Sequence, residues 1–267
     1  MNQQSKVAVI GAGVMGEALI AALISSGVNP DRITISEKRE ERAQELISKY
    51  LIKAAPLTSN VADADALLLV VKPQDMASVL AEIKGSINPT SVVVTFAAGK
   101  TISFISNGLG TGNPVVRVMP NTPTLVAQGM AAASMGAGVT PAQREFVLGF
   151  LGATGKVIEV TEDLQDAVTA TSGSGPAYFF AFVEAMVAGA KELGLSDQDA
   201  TTLTIQTIVG AAKLLDESGK SATTLRENVT SPNGTTAAAL ASFGNDNLNS
   251  MVAKAMKAAR DRSQELA

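Results

Sequence analysis

The stretch from Val229 to Ala237 is a candidate binding site for a small polar molecule. Its nine residues carry no charge but hold four hydroxyl groups, an amide, a glycine and a proline. An alanine-rich helix is predicted to begin near Thr235, and the free N–H groups at a helix start, together with the helix dipole, attract an anion. Pro232 and Gly234 shape the approach to that helix. The segment therefore predicts a site built from neutral hydrogen-bond donors.

Composition narrows the chemistry that such a site can perform. The chain has 267 residues, of which 46% are hydrophobic, so it can bury a core in one large domain or two modest ones. It contains no histidine, the commonest general acid, general base and metal ligand, and no cysteine for a disulfide or a thiolate site. No cluster of Asp and Glu takes their place, so we expect no metal site. The net charge of −4 argues against nucleic acid as a partner.

The sequence favours a cytoplasmic protein without a membrane partner. The absence of cysteine fits a reducing compartment. The N-terminal run MNQQSKVAVIG lacks the basic start and the long apolar segment of a signal peptide. The apolar helix pattern from Pro176 to Ala190 is too short to span a bilayer, which needs about 20 residues.

A strand, a glycine turn and a helix open the chain. The strand is predicted over Lys6 to Ile10, and residues 11–16 then read Gly-Ala-Gly-Val-Met-Gly, a full G-x-G-x-x-G. The helix that follows is predicted to stop at Gly27. A second strand, Arg32 to Ser36, ends at the acidic Glu37, which lies roughly 20 residues beyond the turn. This order of features predicts a site for the pyrophosphate of a dinucleotide at the helix N-terminus.

Further strands follow in alternation with helices. They read ADALLLVVKP, SVVVTFAAG, NPVVRVM and GKVIEV, and are continuous β-rich runs, as in a parallel sheet buried on both faces. We therefore predict a Rossmann-type doubly wound sheet over residues 1–162. Ligands bind at the carboxyl ends of such strands, so the loops VVKPQ, TFAAGKT and VMPNTP are expected to form a cofactor rim.

The pattern changes near Asp163, after which no clear strand signal follows. Residues 163–267 are predicted to form a helical domain, so the fold class is α/β plus all-α. From Pro176 to Ala190 the only charged residue is Glu184. A helix that is apolar on every face must be buried, and a small domain buries such a helix poorly alone. An interface with a second copy of the chain is therefore predicted.

Taken together, the motifs resemble those of the pyrroline-5-carboxylate reductase family. The elements VIGAGVMGEAL, VVKPQ, FAAGKT, VMPNTP, SGSGPAY and VTSPNGTT occur in the family's order over nearly the whole chain. The resemblance implies reduction of 1-pyrroline-5-carboxylate to L-proline, a nicotinamide-nucleotide domain, and a helical domain that dimerises by interlocking helices. Larger rings of dimers occur in the family. The resemblance also implies that substrate and nicotinamide are held near the domain junction.

The resemblance also implies the site residues. The substrate, a small imine carboxylate, would be held by Ser231, Gly234, Thr235 and Thr236, with Thr236 as the group that hydrogen-bonds the ring nitrogen in catalysis. The family loop usually reads Ser-Pro-Gly-Gly, whereas this chain has Asn233 at the third position, and Asn tolerates the left-handed backbone better than most residues. The expected cofactor-binding residues are Ile10, Gly11, Ala12, Gly13, Val14, Met15, Glu37, Lys38, Asn60, Val71, Lys72, Pro73, Ala97, Ala98 and Gly99.

The choice between nicotinamide cofactors depends on three neighbouring charges. Glu37 is placed to bind the ribose hydroxyls of NAD and to repel a 2′-phosphate. Lys38 and Arg39 follow at once and could neutralise that phosphate, although EKREER is also typical of an exposed helix start. We expect NADPH to be preferred and NADH to be accepted.

Two other functions are consistent with parts of the pattern. A β-hydroxyacid dehydrogenase shares the nucleotide domain and has a helical second domain, with a lysine such as Lys191 or Lys213 as the acid. The chain lacks the glycine-rich neighbourhood that surrounds the lysine in such dehydrogenases, and it has the motif SGSGPAY instead. A nucleotide-sensing protein without turnover is the other alternative, but it would not need the neutral donors around Ser231.

Overall fold

The computed structural model describes residues 4–266, and within that span the chain forms an eight-stranded sheet followed by helices. The strand order is β3-β2-β1-β4-β5-β6-β7-β8, so β1 lies between β2 and β4, where the order reverses. The reversal creates the crevice in which doubly wound folds bind their ligands. The strands are β1 (Val7–Ile10), β2 (Ile33–Ser36), β3 (Lys53–Ala54), β4 (Ala66–Leu69), β5 (Val92–Thr95), β6 (Val115–Met119), β7 (Gly129–Met135) and β8 (Gly155–Glu159).

The central strands are buried on both faces, as their continuous apolar runs predict. Every residue of β1, β4 and β5 is buried. Alternate residues point to opposite faces of a strand. Val7 and Val9 accordingly belong to the core on one face of the sheet, and Ala8 and Ile10 to the core on the other.

Helices cover both faces of this sheet and supply the other half of each core. Leu19 of the first helix and Phe150 pack on one face, whereas Leu80 and Ile105 pack on the other. The predicted doubly wound sheet is therefore confirmed. The helices are α1 (Val14–Ser25), α2 (Glu40–Tyr50), α3 (Leu57–Ala62), α4 (Met76–Ile83), α5 (Ile102–Leu109) and α6 (Pro141–Gly152).

The sequence did not predict two of the eight strands, the short β3 at one edge of the sheet and β7 near the other edge. β7 runs antiparallel to β6 and parallel to β8, so the sheet is mixed rather than wholly parallel. Its sequence, GMAAASM, is rich in glycine and alanine, which have low strand propensity. Pairing with two neighbours outweighs that propensity.

A helical segment lies ahead of the apolar helix, where the motif SGSGPAY begins. A short helix, α7 (Gln165–Val168), continues into one π-helical turn, Thr169–Gly173. A Cβ built on Gly173 would lie 2.5 Å from Cε of Met119, so this turn packs closely against the Met119 side chain. Asn121 donates to the carbonyl of Ser172 at 3.1 Å and ties this turn to the VMPNTP loop.

By packing, the chain divides into two compact units. One contains residues up to Ser174 together with the chain from Ala259 onward, and the other is Gly175–Ala258. Among the described residues, no strand follows β8, which agrees with the predicted change to a helical pattern. The remaining helices are α8 (Gly175–Glu192), α9 (Asp197–Glu217), α10 (Ala222–Asn228), α11 (Thr235–Asn245) and α12 (Leu248–Glu265).

The second unit leaves large apolar side chains uncovered. None of the residues of α8 is buried, and Phe179 and Phe180 are 61% and 64% exposed. Leu203 and Val209 of α9 are also more than half exposed. Exposed apolar surface of this extent marks an interaction face. No helix within residues 4–266 is both long enough and apolar enough to cross a bilayer.

Candidate functional site

The glycine turn after β1 has the geometry that its three glycines predict. Gly11 has φ of +87°, and a Cβ there would lie 2.9 Å from the carbonyl oxygen of Val70. A Cβ on Gly16 would collide with the carbonyl oxygen of Gly11. In contrast, a Cβ on Gly13 would meet nothing within 4 Å, so the backbone there faces open space. The turn is tight where it packs on the protein and open where a ligand can approach.

Helix α1 presents its N-terminus to that open space. Gly13 is the N-cap and supplies no side chain, and the first helical hydrogen bond runs from the N–H of Glu17 to the carbonyl of Gly13 at 2.9 Å. The N–H groups of the first turn therefore have no helical partner and suit an anion.

Glu17 would oppose an anion at this point if its charge were not balanced. It accepts hydrogen bonds from Lys49 at 2.8 Å, from Tyr50 at 3.1 Å and from Arg42. The bond from Lys49, helped by Arg42 and Tyr50 and opposed by burial, lowers the pKa of Glu17 from 4.5 to about 2. Arg42 also donates to the carbonyl of Ala12 at 3.1 Å and so braces the turn.

Glu37 lies at the end of β2 and reaches back to the same turn. Its carboxylate accepts from the N–H of Ala12 at 3.0 Å, and from the backbone and side chain of Arg39 at 3.1 and 3.0 Å. Burial alone would raise the pKa of Glu37, but the hydrogen bonds from Arg39 and Ala12 outweigh it and leave the pKa below its ordinary value. Glu37 is therefore a fixed anion beside the open groove.

A groove of about 800 Å³ lies along the carboxyl ends of β1, β2 and β4. Its volume suits a small-molecule cofactor. Lys38 and Lys72 line it, and neither forms an ion pair in the part of the chain that the structure describes. Seven of the residues predicted to bind cofactor line this groove: Ile10, Gly11, Gly13, Glu37, Lys38, Val71 and Lys72.

The other predicted cofactor residues lie outside the lining of the groove. Asn60 is 6% exposed, and its amide donates to the carbonyl of Thr34 at 3.2 Å and to Oγ of Ser36 at 3.0 Å, which fixes the end of β2. Those that do not line the groove are Ala12, Val14, Met15, Asn60, Pro73, Ala97, Ala98 and Gly99. Their roles toward the cofactor stay predictions.

Sequence reasoning missed several residues that shape the groove. Arg42, which braces the turn, belongs to the run EKREER, and nothing in that run shows which residue turns inward. Other lining residues that the sequence did not indicate come from the loop that leads into α3 and from the segment that leads into and includes α4, where helical spacing gives no sign of a ligand. They are Ala55, Pro56, Leu57, Asp75, Ser78, Val79 and Glu82. Ser36 at the end of β2 also lines the groove, as do Arg39 and the rim-loop residues Val70 and Gln74, which the sequence had indicated.

The neutral segment of the second unit forms a tight turn ahead of α11. The N–H of Gly234 donates to the carbonyl of Ser231 at 3.0 Å, and a Cβ on Gly234 would lie 2.5 Å from Oγ of Ser231. Asn233 has φ of +59°, in the left-handed region. The sequence correctly anticipated that asparagine can take this conformation in place of glycine.

The N-terminus of α11 is left open by this turn. Gly234 is the N-cap, and no side chain caps the helix. Within residues 4–266, no hydrogen bond is formed by the hydroxyls of Ser231, Thr235 or Thr236, whereas Thr230 donates to the carbonyl of Arg226 at 2.6 Å. Thr235 and Thr236 therefore do not cap the helix, and their hydroxyls are available to a ligand.

Other chemistries find little support in the described part of the chain. No group of three or more His, Cys, Asp or Glu side chains lies close enough there to hold a metal ion. The two lysines that a dehydrogenase would use as its acid form ion pairs on the surface. Nζ of Lys191 lies 2.6 Å from Oδ1 of Asp197, and Nζ of Lys213 lies 3.8 Å from Oε1 of Glu217.

Family models match both parts of the chain. Residues 6–99 match the model described as NADP oxidoreductase coenzyme F420-dependent, and residues 162–266 match pyrroline-5-carboxylate reductase dimerisation. With the glycine turn and the groove, the first match defines a nicotinamide-nucleotide-dependent oxidoreductase.

Full-length relatives identify the family within that class. Pyrroline-5-carboxylate reductase of Corynebacterium melassecola is 42% identical over 264 residues, which cover 97% of this chain and 98% of the relative. The Pseudomonas aeruginosa enzyme of the same name is 40% identical, with 98% and 97% covered. The chain belongs to the pyrroline-5-carboxylate reductase family, and the resemblance of its motifs to that family is confirmed.

Solved structures agree with this assignment. A pyrroline-5-carboxylate reductase from Coxiella burnetii has a TM-score of 0.91 and 34% identity, with 99% of both chains covered. Plasmodium falciparum pyrroline carboxylate reductase, solved with NADP bound, has a TM-score of 0.89 and 26% identity, with 100% of this chain and 99% of that chain covered. A 3-hydroxyisobutyrate dehydrogenase from Mycobacterium tuberculosis is similar at 14% identity and a TM-score of 0.54, a likeness in fold alone.

Proposed function

We propose that this chain reduces 1-pyrroline-5-carboxylate to L-proline, with NADPH preferred to NADH and with Thr236 hydrogen-bonding the ring nitrogen of the substrate. Family membership supports the reaction. The observation that carries the substrate role is the open N-terminus of α11, where Ser231, Thr235 and Thr236 have hydroxyls without partners among residues 4–266.

The groove fits a dinucleotide by the chemistry of its lining. The open backbone at Gly13 and the uncapped start of α1 suit a pyrophosphate, as described above. The dinucleotide, when bound, supplies the hydride. The residues of the chain hold it and orient it, and positioning alone can account for ~7–11 kcal/mol of a barrier in favourable cases.

The charges at the end of β2 support the preference for NADPH. Glu37 would repel a 2′-phosphate, but its charge is offset by Arg39 at 3.0 Å and held by Ala12. Lys38 lines the same groove and forms no ion pair in the described chain, so its ammonium group is available to bind that phosphate. Because Glu37 can also accept from ribose hydroxyls, NADH is expected to be accepted.

Neutral donors suit a substrate that carries both charges. The substrate has a carboxylate and a ring nitrogen a few ångströms apart. Free N–H groups at the start of α11 attract the carboxylate. A lysine or arginine would do the same but would repel the protonated imine beside it. The hydroxyl of Thr236 can donate or accept as the ring nitrogen changes its protonation.

The absence of histidine is compatible with this reaction. A cyclic imine takes its proton from solvent before reduction, so hydride addition to the carbon of the C=N bond neutralises a cation and the nitrogen keeps the π electron pair. No alkoxide forms that would need a strong acid nearby. Thr236 therefore orients and hydrogen-bonds the ring nitrogen and does not need to act as a general acid.

Replacement of Thr236 by valine tests the substrate role. Thr236→Val keeps the shape and removes the hydroxyl, so kcat/KM for the imine should fall at least ~10-fold, or ~1.4 kcal/mol of transition-state stabilisation. Nucleotide affinity and Tm should hardly change, because the side chain makes no hydrogen bond in the described structure. Thr223→Val, at an exposed position in α10, is the matched control and should leave turnover unchanged. Normal turnover in Thr236→Val would contradict the role.

The chain is further proposed to act as a homodimer in the cytoplasm. The match of residues 162–266 to a dimerisation domain and the uncovered apolar side chains of α8 support the dimer. A ring of such dimers is a further proposal that comes from the family resemblance. The cytoplasmic location stays an expectation from composition.

A further inference from the structure

The end of α12 lies directly on the loop that leaves β5. A Cβ built on Gly99 would lie 2.8 Å from Cβ of Leu266, and Gly99 has φ of +74°. The ammonium group of Lys100 donates to the carbonyl of Leu266 at 3.0 Å. Glycine is therefore required at position 99 both by its backbone and by the neighbour above it.

One helical turn earlier, α12 is fixed by a buried polar cluster. Ser263 is 3% exposed, and its hydroxyl donates to Oδ1 of Asp166 at 2.8 Å. The same oxygen accepts from Arg117 at 3.3 Å, and the other terminal nitrogen of Arg117 lies 3.5 Å from Oε1 of Glu162. The side chain of Arg117 is 6% exposed, so the arginine end of these contacts is largely shielded from water.

The cluster also holds the far end of the loop. Oε1 of Glu162 accepts from the N–H of Ile102, the first residue of α5, at 2.6 Å. The loop between β5 and α5 is therefore held at Gly99 and Lys100 by Leu266, and at Ile102 by Glu162. Both attachments are connected to Arg117: Glu162 contacts it directly, and α12 contacts it through Ser263 and Asp166. Arg117 is a charged residue inside the sheet and lines neither the groove nor the glycine turn.

We propose that the last turn of α12, fixed by Ser263 on Asp166, positions the segment Ala97–Gly99 for the nicotinamide end of the cofactor. This inference rests on the proposed function and on the family resemblance, which implies that Ala97, Ala98 and Gly99 lie beside the nicotinamide. Ser263 and Asp166 are positioning residues and touch neither substrate nor cofactor. The last turn of α12 therefore affects the orientation of the nicotinamide, because the glycine turn and the groove bind the rest of the dinucleotide.

Ser263→Ala separates positioning from binding. It removes the bond to Asp166, so kcat should fall about 10-fold, within the ~100-fold that an ångström of misplacement can cost. The dissociation constant for NADP should stay within about twofold, because the groove is untouched. Amide hydrogen exchange of residues 96–102 should become faster in the protein without cofactor. Arg262→Ala is the matched control: its side chain is 67% exposed and pairs with Glu265, so both readouts should match the wild type.

A chain that ends at Gln264 provides an independent second variant. It lacks the contact of Leu266 with Gly99 and Lys100, and its losses in kcat and in protection should not add to those of Ser263→Ala, because both act on one loop. Ser263→Ala with wild-type kcat and wild-type exchange overturns the inference, as does an effect equal to that of Arg262→Ala. A wild-type protein without turnover on the imine contradicts the proposed function instead, while the exchange comparison still tests whether Ser263 holds the loop.

Discussion

The carboxylate of Glu37 accepts a hydrogen bond from the backbone N–H of Ala12 at 3.0 Å. The acidic residue at the end of β2 therefore also fixes the second residue of the glycine turn. Arg42 donates to the carbonyl of the same residue at 3.1 Å, so the peptides on both sides of Ala12 are held. Hydrogen bonds therefore connect the backbone of the expected pyrophosphate site with the carboxylate that is expected to meet the ribose.

Cofactor preference should change when the charges at this position change. Glu37→Ser removes an anion that repels a 2′-phosphate, so the ratio of kcat/KM for NADPH to that for NADH should rise about 5-fold, the equivalent of ~1 kcal/mol. Lys38→Ala should lower the same ratio. Steady-state kinetics with both cofactors measures it.

A matched control separates local from general electrostatics. Glu41→Ser makes the same charge change at an exposed position of α2 that does not line the groove, and the ratio should stay constant. If Glu37→Ser and Lys38→Ala also leave the ratio unchanged, the charged run EKREER does not select the cofactor and is only an exposed helix start.

The loop before α11 should accept glycine but not a β-branched residue at position 233. Asn233 has φ of +59°, where a β-branched side chain is disfavoured by about 1–2 kcal/mol. Asn233→Gly should therefore keep kcat/KM within about twofold, whereas Asn233→Val should lose stability of that size, measured by urea unfolding. Equal stability of the two variants would show that the turn does not keep its left-handed residue.

The ion pairs of Glu17 with Arg42 and Lys49, behind the glycine turn, should make the stability of the fold depend on pH. The pKa of Glu17 is lowered from 4.5 to about 2, so the folded carboxylate stays ionised where the unfolded one takes up a proton. Its stabilisation is complete above pH 4.5 and is lost as the pH falls toward 2. Glu17→Gln should cost about 1–2 kcal/mol at pH 7, and its difference from the wild type should shrink between pH 5 and pH 2.

Glu45→Gln is the control for that experiment. Glu45 pairs with the same Arg42 at 2.8 Å but is 58% exposed, so its loss should cost less than about 0.5 kcal/mol. Urea unfolding of both variants across the acid range provides the comparison. A pH-independent difference between Glu17→Gln and the wild type would mean that Glu17 has an ordinary pKa.

The exposed face of α8 should be covered by a second copy of the chain. Phe180→Asp places a charge at a site that is 64% exposed in one chain, so the chain should still fold but dimerise much more weakly. Sedimentation equilibrium at micromolar concentration should show a dimer for the wild type and for Glu145→Lys, a charge change on exposed α6, and monomer for Phe180→Asp. A wild-type protein that sediments as a stable monomer would contradict the interface.

Much of the fold could be predicted because local pattern and tertiary structure agree. Six strands and the glycine turn follow from apolar runs and spacing alone. β7 could not be found in this way, since GMAAASM has little strand propensity and is held by its two neighbours. The π-helical turn Thr169–Gly173 was equally hidden, because its packing depends on Met119, a residue distant in sequence.

The site could be predicted only where short motifs carry it. Gly11, Gly13 and Glu37 were found because a strand–turn–helix unit fixes their mutual placement. Arg117 and Ser263 could not be connected by reading the sequence, since their common partner Asp166 joins residues from β6, α7 and α12. Long-range polar contacts of this kind leave no periodic signal.

Turnover of the imine is the most direct test of the proposed activity. Purified protein is mixed with 1-pyrroline-5-carboxylate and NADPH, and nicotinamide oxidation is followed together with the formation of L-proline. NADPH oxidation and L-proline formation should proceed in equal amounts, and NADPH should be used more efficiently than NADH. No reaction is expected of 3-hydroxy acids with the oxidised cofactor. A protein that binds the nucleotide but does not reduce this imine would contradict the account.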